Sequence, residues 1–86
     1  MDMLSAMQDT LSIAAANGLY NVSSDIPESD YLHLLSMYER AQEGNFSPAK
    51  LGRWLGWMQA CVVINSMGDI SFEDMKRINL SHKGQD

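Results

Sequence analysis

The chain is short of cysteine and of positive charge, and each shortage bears on a class of protein. With Cys61 as its only cysteine it is no disulfide-stapled scaffold. That thiol stands among Val62, Val63 and Ile64, away from any cation or helix N-terminus. This is the setting of a buried apolar group rather than of a nucleophile. Six Lys and Arg against eleven Asp and Glu give a net charge of -5. That is opposite in sign to what a duplex-binding domain uses to neutralise phosphates. The longest apolar run, Trp54 to Ile64, is broken by Gln59 and falls far short of the roughly 20 residues of a membrane helix. Asp2 occupies the place of a basic n-region, so no secretory leader is expected, and the N-x-S sequons at Asn21, Asn45 and Asn79 then carry no meaning. Neither His33 nor His82 has a His or Glu four residues on and turned the same way, so neither a metal site nor a hydrolytic triad is expected. No motif calls for a cofactor or a small-molecule substrate. A soluble cytoplasmic protein is the expectation.

What is present is helical patterning. The 86 residues are 45% hydrophobic, which suits one small domain of marginal stability. Strand-period runs and internal repeats are lacking, so the expected class is all-α: a compact bundle of three main helices plus a short C-terminal helix. Residues 1–80 would form the single domain and 81–86 a frayed tail without an apolar anchor. Helix 1 is expected from about Asp2 to Asn17, with Met3, Leu4, Met7, Leu11, Ala14 and Ala15 on one side and Gly18 as a left-handed cap. Tyr20 and Val22 would cover the bundle end or form a short extended piece. Helix 2 begins near Pro27, with Asp25 or Ser29 as better caps than Ile26, and ends before Gly44. Its core stripe would be Tyr31, Leu34, Leu35 and Tyr38, and its wet face His33, Ser36, Arg40 and Glu43. Ser47 as N-cap, Pro48 at the first helical position and Phe46 as a staple onto Leu51 start helix 3. Met67-Gly68 ends it. Ser71 then caps helix 4 with Asp74 in a capping-box variant, and Phe72, Met75 and Ile78 point inward.

Helix 3 carries two different apolar faces. Leu51, Trp54, Leu55, Met58 and Val62 form a bulky stripe at the helical period, and with so little polar surface this helix should be the most buried. The other side holds Ala49, Gly52, Gly56, Ala60 and Val63 and is nearly bare. Each helical glycine costs about 1 kcal/mol against alanine, so close approach of another backbone should offset the two. Either the Ala14-Ala15-Ala16 run of helix 1 supplies that backbone, or a partner does. Under the second reading the candidate interface is Gly52, Arg53, Gly56, Trp57, Gln59, Ala60 and Val63, with Trp57 and Arg53 as anchors at its edge. Under the first, Trp57 is a core-edge residue. The seven methionines suit either core filling or an adaptable binding surface.

Other features have local explanations. Asp2, Asp25, Glu28, Asp30, Asp69, Glu73 and Asp74 lie near helix N-termini, where acids satisfy free amides and the helix dipole. That weakens, without removing, a DNA-mimic reading of the acidity. Lys76, Arg77, His82 and Lys83 cluster near the C-terminus, where the dipole accounts for much of them and a weak phosphate contact remains open. The Gly-containing turn between helices 2 and 3 permits a helix-turn-helix regulator. A recognition helix needs polar side chains, however, and helix 3 offers only Lys50, Arg53 and Gln59.

The segment from Ser47 to Gln59, followed by Gly68 and by Ser71 to Lys76, resembles the C-terminal half of small uncharacterised helical accessory proteins of tailed bacteriophages and prophages. In those an RWLGxxQ helix precedes a glycine-marked turn and a short helix. Arg53, Trp54, Leu55, Gly56 and Gln59 match, while Met1 to Asn45 carries no such resemblance. The resemblance implies a non-enzymatic accessory protein in the bacterial host cytoplasm. Joined to the two-faced helix 3, it gives the leading expectation: a protein that associates with itself as a homodimer, or with a host or phage protein, and modulates that partner. A small nucleic-acid-contacting regulator is the alternative, and an enzyme is remote.

Overall fold

Asp2 starts the first helix, α1 (Met3–Ala16), by accepting from the Ser5 backbone N–H at 3.0 Å and from the Ser5 hydroxyl at 2.7 Å. The computed structural model describes residues 1–84. Gly18 takes the expected left-handed backbone, φ 77°. A short 3-10 turn, Leu19–Asn21, buries Leu19 and leaves Tyr20 and Val22 exposed, so those two side chains do not cover the bundle end. A second 3-10 turn, Pro27–Ser29, occupies the place expected for the start of helix 2, which as α2 spans Tyr31–Glu43. The delay has a chemical cause. Asp30 stands at the N-cap, but its carboxylate accepts from the Ser24 backbone N–H and hydroxyl at 3.0 and 2.8 Å, so it knits the loop instead of capping the helix.

Ser47 caps α3 (Pro48–Asn65) as expected, accepting from the Lys50 N–H at 3.2 Å. Phe46 meets Trp54 edge-on with ring centroids 4.8 Å apart. Gly44 permits this approach, because a Cβ there would lie 2.6 Å from the Phe46 ring. Between α3 and α4 (Phe72–Ser81) the buried Ser66 hydroxyl donates to the Val63 carbonyl at 2.8 Å and accepts from the Ile70 N–H at 2.9 Å. Ser71 and Asp74 form a reciprocal capping box. Among the described residues there is no strand, and no helix is long and apolar enough to cross a membrane.

The chain is an all-α bundle in which α1 packs against α2, α3 and α4. The most enclosed helix is α1, not α3. Its interior stripe is Ala6, Met7, Thr10, Leu11 and Ala14, and the small members let neighbouring helices close in. Thr10 sits there because its hydroxyl donates to the Ala6 carbonyl at 2.8 Å. On α2 the buried set is Leu34, Met37 and Ala41, with Tyr31, Leu35 and Tyr38 half-buried, while Leu32 is exposed and His33 and Ser36 are half-covered. On α4 Phe72 points outward, against expectation. Ile70, one residue before the cap, fills the end of the core in its place, with Met75 and Ile78 behind it. Met7, Met37, Met58 and Met75 are buried, so four of the seven methionines serve as core filler.

The expected frayed tail is held as far as His82. Ser81 belongs to α4, the Asp2 N–H donates to the His82 carbonyl at 2.8 Å, and the His82 ring lies 2.6 Å from the Asp9 carboxylate. Its anchor is polar, which is why apolar patterning misses it. Gln85 and Asp86 lie outside the described residues.

Candidate association face on α3

The two sides of α3 meet different environments. Leu55, Met58, Cys61 and Val62 are buried, with Leu51 and Trp54 half-buried beside them. Burial pushes the Cys61 thiol above its usual pKa, which disfavours the thiolate. The Trp54 ring is further enclosed by the Arg40 guanidinium, 5.2 Å from its centroid, and by the Lys50 ammonium at 5.3 Å.

The opposite side is open. Ala49, Gly52, Arg53, Gly56, Trp57 and Ile64 are exposed, and Ala60 and Val63 half-exposed. A Cβ added at Gly56 would meet nothing within 4 Å, and one at Gly52 only the Met3 sulfur at 3.7 Å. The alternative in which the α1 alanines cover the two glycines is therefore not realised. Among the described residues no backbone approaches either glycine closely enough to offset the two-glycine penalty of about 2 kcal/mol.

Two elements frame this face. On one flank the Trp57 indole N–H donates to the Glu28 carbonyl at 3.2 Å, and the Asn65 amide donates to the Ser29 carbonyl at 2.9 Å, so the 3-10 turn Pro27–Ser29 is fastened along α3. This hydrogen bond fixes the edge of the indole, yet the residue remains 44% exposed, and Ile64 two turns on is 70% exposed. On the other flank Gln59 pairs with Asn79 of α4 and donates to Thr10 of α1 at 3.2 Å. Gln59 is buried, so of the residues expected at the interface it is the one that turns inward, held by polar partners instead of facing out. Apolar periodicity carries no signal for such a pair, since the partner lies on another helix.

Charge on the face is sparse. Arg53 is its one cation, and among the described residues neither Arg53 nor the Glu28 carboxylate has an ion-pair partner. Of the three polar side chains a recognition helix would offer, Gln59 is buried and the Lys50 ammonium lies over the Phe46 ring at 3.9 Å, leaving Arg53 alone. Three members of the C-terminal basic cluster are engaged, Lys76 with Glu73 at 3.5 Å, Arg77 with Asp74 at 3.1 Å and His82 with Asp9, while Lys83 makes no ion pair among the described residues. Among the described residues no three His, Cys, Asp or Glu side chains are grouped to hold a metal ion.

No family model, curated protein sequence or solved structure matches this chain. The geometry of α3 itself therefore carries the functional argument.

Proposed function

We propose that this protein is a non-enzymatic binding module that associates with another protein chain through the outward face of α3. The observation that carries the reading is the open space over Gly56 on an apolar face bearing a half-exposed tryptophan. A glycine that costs helix stability and touches nothing is accounted for by a backbone that arrives on binding. Tryptophan and arginine at the edge of a bare apolar patch are the residue types that dominate interface energetics.

We further propose, on the sequence resemblance of Ser47 to Gln59, Gly68 and Ser71 to Lys76 alone, that such association modulates a host or phage protein in the bacterial cytoplasm. The negative charge and the engagement of Lys50, Lys76 and Arg77 argue against a phosphate-driven role.

Sedimentation velocity tests the reading. The wild-type chain should associate, and Gly56→Leu should abolish association while circular dichroism keeps its helical signal. Association that survives both Gly56→Leu and Trp57→Ala would remove α3 from the site.

A further inference from the structure

Resting on that reading, we infer that the occupant of the α3 face is a second copy of this chain, running antiparallel on a two-fold axis that passes Gly56. The first support is self-complementary spacing. Ala49, Gly52, Gly56, Ala60 and Val63 lie at offsets that read the same in both directions from Gly56. An antiparallel copy centred there sets Gly56 against the partner's Gly56, Gly52 against the partner's Ala60, and Ala49 against the partner's Val63. Every opposed pair is small or half-buried, so the two helices can approach toward the lower end of the usual interaxial range, about 8 Å. An isologous patch of this kind closes as a dimer and leaves no open end.

Charge supplies the second support. Arg53, Trp57 and Ile64 share the flank of α3 along which the Pro27–Ser29 turn is fastened. A two-fold axis perpendicular to the helices places this flank beside the same flank of the other copy. Arg53, three residues before the axis, then stands within about 3 Å along the helix of the partner's Trp57, one residue after it. The partner's Glu28 is there too, because its carbonyl holds that indole. The unpaired guanidinium thus gains an aromatic face and an unpaired carboxylate, and this happens twice per dimer. A parallel copy gains neither, since its two-fold axis runs along the helices and sets this flank against the opposite, Gln59 side of the other copy. It also aligns the two helix dipoles, which the antiparallel pair sets in opposition.

Disulfide trapping at single sites distinguishes the registers. In the antiparallel dimer, residue 56 of the two copies meets, whereas residue 52 of one copy stands about 12 Å along the axis from residue 52 of the other. A disulfide tolerates Cα separations only up to about 7 Å. Gly52→Cys and Ala60→Cys should each fail alone and cross-link when mixed. Wild type is the control, because Cys61 is buried, and circular dichroism checks that each variant folds.

Charge reversal gives an independent arm. Arg53→Glu should weaken association by about ten-fold, and Glu28→Arg added to it should restore most of that loss. Self-cross-linking of Gly52→Cys, or absence of rescue by Glu28→Arg, overturns the antiparallel assignment while association through α3 still stands. A wild-type chain that sediments as a monomer at high concentration overturns the second-copy assignment altogether.

Discussion

Gln59 and Asn79 exchange hydrogen bonds through their side-chain amides, at 2.8 Å from the Gln59 Nε2 to the Asn79 Oδ1 and 3.1 Å in the return direction. This pair joins α3 to α4, and the Gln59 bond to Thr10 extends it to α1. Removing one member strands the other. Gln59→Ala is expected to lower stability by about 1–3 kcal/mol. The double replacement Gln59→Leu with Asn79→Leu should cost less than the sum of the single losses, because no polar group is left without a partner. Urea denaturation of the four proteins in the cycle measures the coupling.

The Ser47 cap predicts a simpler loss. Its hydroxyl satisfies the Lys50 N–H, an orphan donor at the start of α3. Ser47→Ala should destabilise the fold by about 1 kcal/mol, and Ser47→Asp should retain most of the cap. An unchanged urea midpoint for Ser47→Ala would show that the hydroxyl contributes nothing.

Gly56→Ala should act with opposite signs on folding and on association. In a dissociated chain the added methyl meets open space, so the better helix former raises stability by up to about 1 kcal/mol. In the antiparallel dimer two such methyls face each other at the closest point of approach, and association weakens. A melt at low concentration and sedimentation at high concentration read the two effects separately. A rise in both would exclude Gly56 from the contact.

Acid should weaken the helix starts. The Ser5 backbone N–H, ahead of the Ser5 hydroxyl, holds the Asp2 carboxyl below its usual pKa, and the Ser71 backbone N–H does the same for Asp74. A carboxyl whose folded pKa is depressed contributes stability above its unfolded pKa and loses it as pH falls through the folded one. Tm should therefore decline as pH drops below about 4, and Asp74→Asn, which cannot titrate, should flatten part of that decline. Equal slopes for wild type and variant would show that the Asp74 box does not titrate with folding.

How much was legible in advance follows from the range of each interaction. Ser47, the Ser71–Asp74 box and the left-handed Gly18 are contacts among residues a few positions apart, so their chemistry is complete within the local sequence and the boundaries they set could be read there. The bulky and bare sides of α3 are likewise a property of helical spacing alone. Asp30 is the instructive local failure. It occupies a cap position, but Ser24 competes for its carboxylate, and a loop conformation decides the contest.

The tertiary structure decided which sides were covered. Spacing shows that α3 has a bare face but not whether α1 lies on it, and that depends on where α1 finds its best fit among three neighbours. Phe72 and Ile70 are both apolar at the start of α4, and only the end of the core determines which enters it. His82 with Asp9, and Gln59 with Thr10 and Asn79, are polar pairs between helices distant in sequence. No periodicity encodes them, because their energy arises only when packing has already brought the partners within hydrogen-bond reach and excluded the water that would otherwise satisfy them.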